Sequence, residues 1–268
     1  MIRVGLVGCG TIGSRLALTI ARRYRKQAKL VAVYDTNADA AAALQKRISP
    51  RPSFSSVSEL IRRSDLVIEA ASAHAAGSLA AQTLKQGRSI LVLSVGGLLM
   101  DESWKAAARR SIGRVHVPSG ALAGLDGVRA LAIAGVRKAT LRTSKPPASL
   151  AAAPYVRERR ISLEGLTRPK VVFRGSAKDV VRAFPQNTNV AASLTLASGL
   201  PASRVRVEVV ADPGLSRNTH AFEVEGKAGK LGCRIESIPS KNPKTSELAI
   251  LSAEALIERL LVGNAVGS

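Results

Sequence analysis

Apolar residues in the first hundred positions fall into short continuous runs, and each run is followed by a stretch of helical spacing. The first run, Ile2-Arg-Val-Gly-Leu-Val-Gly8, leads through a glycine-rich turn into a helical pattern, and a second run, residues 30–35, stops at Asp35. An alanine-rich helix is predicted near residues 37–47, a proline-bounded loop at 49–53 and a short helix at 58–63. A strand then follows at 65–71, a helix at 74–86, a strand at 89–97 and a helix at 101–110. Apolar runs that lack alternation belong to strands buried on both faces, so the segment reads as an α/β, doubly wound parallel sheet. Such a sheet binds its ligand at the carboxyl ends of the strands, where Ala70-Ala71-Ser72 and Ser94-Val95-Gly96 stand.

The pattern changes near Val115. Strands are expected at 139–143, 170–174, 205–210, 220–224 and 231–238, with helices at 177–183 and 188–198. This describes an α+β domain on an open, largely antiparallel sheet, a type that often dimerises. A final helix over 242–260, with Leu248, Leu251, Ala255 and Leu256 as its apolar stripe, is expected to pack back on the first domain. The domains are therefore 1–115 plus 242–268, and 116–241.

Gly8-Cys9-Gly10-Thr11-Ile12-Gly13 is a G-x-G-x-x-G turn between a strand and a helix. Gly8 permits the tight turn, Gly10 lets a pyrophosphate approach the backbone, and Gly13 lets helix and sheet pack closely. The helix N-terminus after Thr11 and Ile12 offers unpaired N–H groups and the positive end of the macrodipole to the phosphates. Asp35 lies 22 residues after Gly13, near the spacing at which a carboxylate meets the adenosine ribose. That carboxylate would repel a 2′-phosphate, so NAD is favoured; Arg15, Arg22 and Arg23 leave NADP open. Ala71 and Ser72 are further candidates for the cofactor cleft.

The chain has 268 residues, 46% of them hydrophobic, enough for one large or two modest cores. No apolar stretch has spanning length, and the first strand leaves no room for a secretory leader, so a cytoplasmic protein without membrane contact is expected. Cys9 and Cys233 form no metal or redox motif. The net charge of +21 is large, yet aromatic residues make up only 3% and the basic clusters are spread through the chain. That distribution argues against a nucleic-acid reader and for solvated helix faces whose field draws in anions.

Of three histidines, His74 follows a strand end and His116 sits in an apolar run. His220 closes a polar turn, Asp212-Pro-Gly-Leu-Ser-Arg-Asn-Thr-His220, between two strands, where an imidazole near its working pH suits proton transfer beside hydride transfer. A structural histidine is the alternative.

Several segments, in order, resemble the L-aspartate dehydrogenase family: the glycine turn, Pro118-Ser-Gly-Ala-Leu-Ala-Gly-Leu-Asp126, Thr143-Ser-Lys-Pro-Pro147, Phe184-Pro-Gln-Asn-Thr-Asn-Val190, Asp212-Pro213, Asn218-Thr-His220 and Asn242-Pro-Lys-Thr-Ser246. The resemblance implies NAD(P)-dependent oxidative deamination of L-aspartate to oxaloacetate and ammonia through iminoaspartate, with a link to pyridine-nucleotide synthesis. It also implies that His220 is the catalytic histidine and that Ala123 and Asn189 contact the cofactor. Two substrate carboxylates need cationic, amide or hydroxyl partners, for which Lys145, Asn187, Lys241, Lys244, Thr245 and Ser246 are candidates; no metal is expected. A small-molecule substrate and a homodimer complete the expectation. Two alternatives stand beside it: another amino- or keto-acid oxidoreductase on this scaffold, and a non-catalytic NAD(H)-sensing protein. The segment 149–165, with its Arg157-Glu-Arg-Arg160 run, matches no motif.

Overall fold

The computed structural model describes residues 1–184, 188–238 and 246–263. Two compact units divide between Pro118 and Ser119, and again inside the last helix between Ser252 and Ala253.

The first unit runs β1 (Ile2–Val7), α1 (Thr11–Arg23), β2 (Ala28–Tyr34), α2 (Ala38–Gln45), β3 (Ser53–Phe54), α3 (Val57–Arg63), β4 (Leu66–Glu69), α4 (Ala73–Lys85), β5 (Ser89–Val92), α5 (Gly97–Met100), α6 (Ser103–Ala108) and β6 (Val115–His116). Its sheet has the order β3-β2-β1-β4-β5-β6 with every pairing parallel, the doubly wound arrangement anticipated from the apolar runs. Strand order reverses between β1 and β4, so the loops after these two strands stand side by side. Leu16, Ala17 and Ile20 of α1 pack with Val4, Leu6, Leu30 and Ile68 of the sheet.

The strand expected over 89–97 stops at Val92. The reason is electrostatic: the Glu69 carboxylate, fully buried at the end of β4, accepts the N–H groups of Leu93 (3.2 Å) and Ser94 (2.9 Å), while its other oxygen accepts Ala71 N–H (2.9 Å). Leu93 N–H also donates to the Glu69 backbone carbonyl at 3.0 Å, the last rung of the ladder, whereas Ser94 N–H turns to the carboxylate and the chain enters α5. Burial raises the Glu69 pKa and these three N–H groups oppose the rise, so one side chain ties together the ends of two strands.

The second unit runs α7 (Leu125–Ala134), β7 (Val136–Lys145), a 3-10 turn (Pro147–Ser149), α8 (Pro154–Glu158), β8 (Lys170–Ser176), α9 (Ala177–Ala183), α10 (Asn189–Ser198), β9 (Val205–Ala211), β10 (Asn218–Gly226) and β11 (Gly229–Ser237). Its sheet order is β11-β10-β7-β9-β8; β7 and β9 are parallel and the other pairs antiparallel. Alternate residues Ala139, Leu141, Val205, Val207, Phe222 and Val224 are buried on one face, where α7 and α10 lie. The opposite face is open and carries exposed pairs such as Arg142–Glu208 and Arg174–Glu208.

Helix α7 was not foreseen, since Gly124 and Gly127 interrupt its sequence. Gly124 sits at φ +70° as its N-cap, and a Cβ on Gly127 would come within 2.7 Å of Leu231, so both glycines serve the entry and packing of this helix. The unplaced segment 149–165 is structural: Leu150 and Val156 are buried, and Tyr155 packs against Phe173 and Phe184 at 5.3 and 5.5 Å.

The last helix, α11, spans Glu247–Val262. Its expected stripe is rotated. Leu251 and Ala255 face solvent, whereas Ile250, Ala253, Leu256 and Ile257 are buried, because a sequence apolar on almost every side does not announce which face is inward. Ala253, Leu256 and Ile257 join the core of the first unit, while the part of the helix before Ala253 belongs to the second. Among the described residues no helix is long and apolar enough to cross a membrane.

Among the glycines of the first unit a Cβ would be most crowded at Gly13, where it would lie 1.9 Å from the carbonyl oxygen of Gly8. Gly13→Ala is expected to destabilise the protein by about 3 kcal/mol in urea unfolding, since the obstructing atom is backbone and cannot swing aside.

Candidate functional site

The turn after β1 is shaped by three glycines with separate duties. Gly8 sits at φ +97°, and a Cβ there would meet the Ala70 carbonyl oxygen at 2.4 Å, because the loops after β1 and β4 touch. Gly13 presses α1 onto Gly8. A Cβ on Gly10, by contrast, would meet nothing within 4 Å: the backbone there faces open space. Gly10 caps α1 without a side-chain hydrogen bond, and no acidic residue stands in the first turn. The first N–H groups of a 13-residue helix, with Thr11 exposed at its start, are thus offered to an anion. An open groove of about 800 Å³ beside them is lined by Arg15, Arg22, Arg23 and Arg47, which adds positive field. Arg15 pairs with Glu254 at 3.0 Å and Arg23 with Glu258 at 3.2 Å.

Asp35 follows β2, and its two oxygens accept Cys9 N–H (2.6 Å) and Asn37 N–H (2.8 Å). It therefore braces the glycine turn against the next loop as well as offering a carboxylate at the edge of the site. Cys9 is buried beneath it, and desolvation together with the Asp35 charge pushes its thiol up to about 12, so it stays protonated. Ala71 and Ser72 are exposed after β4, with Ser72 capping α4. The residues fit a dinucleotide: the uncapped helix end receives phosphate, the missing Cβ of Gly10 leaves it space, and Asp35 offers an acceptor for hydroxyls.

In the second unit, His220 is not in a turn. The turn ends at Arg217, closed by Asp212 Oδ1 accepting Gly214 N–H at 3.0 Å, and His220 is the third residue of β10, paired with Ile235 on one side and Thr143 on the other. It is 4% exposed. Its Nδ1 stands 3.2 Å from Thr143 Oγ1, which leaves Nε2 for other chemistry. Strand alternation puts Thr143 and Lys145 of β7, Asn218 and His220 of β10 and Ser237 of β11 on the same face at one end of the sheet. All five are buried. Beyond them the same face is apolar, so this end of the sheet is the polar exception on an otherwise hydrophobic surface. Thr143, Asn218 and Ser237 were not chosen from the sequence; hydroxyl and amide residues are common, and only the register brings these together.

Burial lowers the Lys145 ammonium to about 8. Burial, then the positive charge of Lys145, lowers the His220 imidazole to about 3. The expectation of an imidazole poised near neutrality is therefore corrected: without an anion beside it, His220 is neutral throughout the physiological range.

Ala123 is exposed in the loop before α7, and Asn189 is the exposed first residue of α10. Ser246 is buried, and its hydroxyl accepts Ala249 N–H at 3.2 Å in the first turn of α11. Asn187, Lys241, Lys244 and Thr245 lie outside the described residues. His74 is exposed in the first turn of α4; His116 is half-buried in β6, its pKa lowered by burial and then by Arg259 and Arg114. Among the described residues no cluster of His, Cys, Asp or Glu could hold a metal ion.

Two family models match separate parts of the chain. Residues 126–260 match the family model "Aspartate dehydrogenase, C-terminal", and residues 8–118 match "Homoserine dehydrogenase, NAD binding domain". The chain is 42% identical to L-aspartate dehydrogenase of Methanosarcina acetivorans over 97% of both chains, and 37% identical to L-aspartate dehydrogenase 3 of Bordetella bronchiseptica over 99% of this chain and 97% of the other. The crystal structure of aspartate dehydrogenase from Thermotoga maritima covers all of both chains with a TM-score of 0.77 at 25% identity.

Two outcomes follow from the geometry. Gly10→Ala should fold with wild-type stability, because its Cβ meets no protein atom, yet bind NADH at least about 10-fold more weakly by fluorescence titration. For His220 the folded pKa lies below the ordinary 6.5, so above pH 6.5 the imidazole is neutral whether folded or not, and as pH falls from 6.5 toward 3 the unfolded chain gains a proton that the folded one refuses. Stability is lost across that window. At pH 5 this group costs about 2 kcal/mol, and the loss between pH 7.5 and pH 5 in urea unfolding should shrink by that amount in His220→Asn.

Proposed function

The chain belongs to the aspartate dehydrogenase family, and on that premise we propose that it oxidises L-aspartate with NAD(P)⁺ and water to oxaloacetate, ammonium, NAD(P)H and a proton, through iminoaspartate. The observation that carries this reading is the buried imidazole of His220 beside the ammonium of Lys145, at the polar end of a sheet face that is otherwise apolar.

The first unit supplies the cofactor residues: Gly8, Gly10, Thr11, Ile12 and Gly13 for the phosphates, Asp35 for the ribose hydroxyls, and Ala71 and Ser72 after β4. The bound nicotinamide supplies the hydride acceptor for Cα of the substrate. Asp35 favours NAD over NADP, since a carboxylate held at the edge of the turn disfavours a 2′-phosphate. Ala123 and Asn189, exposed before α7 and at the start of α10, are assigned to the cofactor by the family resemblance.

The second unit supplies the proton and carboxylate chemistry. With Nδ1 donating to Thr143 Oγ1, Nε2 carries the lone pair that accepts the proton lost as the substrate amine becomes an imine. A carboxylate held by Lys145 offsets the positive field that depresses the imidazole, so binding the substrate raises the basicity of its own base. Once it has released that proton to solvent, the same nitrogen deprotonates the water that attacks the imine carbon. Asn187, Lys244, Thr245 and Ser246 remain assigned to the substrate carboxylates, with Lys145 the described cation among them. Release of iminoaspartate before its hydrolysis would feed synthesis of the pyridine ring.

The homodimer belongs to this reading too, supported by the uncovered face of the second sheet, as does a cytoplasmic location, supported by a sequence whose two cysteines, Cys9 and Cys233, stand far apart and form no C-x-x-C motif.

Steady-state formation of NADH tests the proposal, with L-aspartate, D-aspartate, L-glutamate and L-alanine each offered with either nucleotide. L-aspartate should give the highest kcat/KM, and His220→Ala should lose at least about 100-fold in kcat while binding NADH as the wild type does. Faster turnover of another amino acid, or joint loss of turnover and NADH binding in His220→Ala, would overturn it.

A further inference from the structure

Three buried hydroxyl oxygens among the described residues have no hydrogen-bond partner: those of Ser55, Thr219 and Ser237. A buried hydroxyl without a partner is destabilising, so its presence in a native site asks for an explanation. Ser55 belongs to the first unit, and Thr219, by strand alternation, faces away from His220. Ser237 shares the face of His220. It is 5% exposed and stands directly across β10 from Asn218, itself 6% exposed. Residues so paired on an antiparallel ladder have Cβ atoms about 4.5–5.5 Å apart, so one small acceptor can be reached from both.

The remaining neighbours on this face decide what kind of acceptor it is. Thr143 is engaged with His220, Ile235 and Val209 are apolar, and Lys145 is a buried cation two residues on from Thr143. A hydroxyl, an amide and an ammonium at one dry end of a sheet match the oxygens of a carboxylate. The diagonal from Ser237 to His220 is roughly 7–8 Å, so a group held at Ser237 lies beyond the atom that His220 serves. In a substrate whose amine faces His220, that group is the side-chain carboxylate, one carbon further out.

Building on the proposed aspartate oxidation, we propose that Ser237 and Asn218 form the subsite for the substrate's distal carboxylate, the Ser237 hydroxyl donating to one carboxylate oxygen and thereby selecting acidic over neutral amino acids. The hydroxyl is left without a protein partner so that the ligand completes it.

The experiment compares Ser237→Ala and Ser237→Thr with the wild type in two assays: the KM for L-aspartate, and the binding of succinate, which carries the same pair of carboxylates and no amine, by calorimetry with NADH present. Ser237→Ala is expected to raise the aspartate KM and weaken succinate by roughly 10- to 100-fold, with a smaller change in kcat. Ser237→Thr, which keeps the hydroxyl, should recover most of both. The alanine variant should melt no lower than the wild type, because it removes an unsatisfied group. Aspartate KM and succinate affinity within twofold of wild type in Ser237→Ala would overturn the proposal, as would a fall in its melting temperature. If the wild type oxidises no aspartate, the activity proposed above fails, while the loss of succinate binding in Ser237→Ala still tests the subsite on its own.

Discussion

The first unit depends on how closely two backbones can approach when a Cβ is missing. At Gly13 helix α1 lies so near the Gly8 carbonyl that any side chain would penetrate it, and at Gly8 the chain turns against Ala70 at a positive φ. These contacts bring the loops after β1 and β4 together at the point where strand order reverses. They also aim the uncapped end of α1 at the open space above Gly10. Phosphate affinity then needs no dedicated cation, since the N–H groups and the helix dipole are already fixed. Asp35 and Glu69 hold the surrounding loops by the same means, each carboxylate gathering N–H groups from chain segments that would otherwise fray.

In the second unit the governing constraint is desolvation. A sheet face that is apolar along most of its length ends in Thr143, Lys145, Asn218, His220 and Ser237, all buried. Burial lowers the pKa of both the imidazole and the ammonium, and the positive charge of Lys145 lowers that of the imidazole further. The orienting partner of His220 is a threonine hydroxyl, which fixes the ring without supplying the negative charge that a carboxylate partner would.

The net charge of +21 finds a partial account in the same terms. Arg15, Arg22, Arg23 and Arg47 surround the groove beside the glycine turn, where a positive field favours phosphates, while many other arginines sit in exposed ion pairs that contribute little each. The Arg157-Glu-Arg-Arg160 run belongs to a segment held by the Tyr155 ring and its Phe173 and Phe184 neighbours, with Arg159 stacked over Tyr155.

The sequence by itself determined the doubly wound sheet and the close packing at Gly8 and Gly13, because these rest on local periodicity and on backbone geometry within a few residues. It also carried the open second sheet, whose strands were placed near their observed positions. Tertiary structure alone decided the rest. Glu69 ends β5 from another strand, α7 forms despite two glycines because it has Phe222 and Leu231 to cover, and the inward face of α11 is chosen by the cores it meets. Above all, the polar end of the second sheet joins residues from β7, β10 and β11 through strand register. Its depressed imidazole follows from burial, a property of the packed neighbourhood that no spacing along the chain encodes.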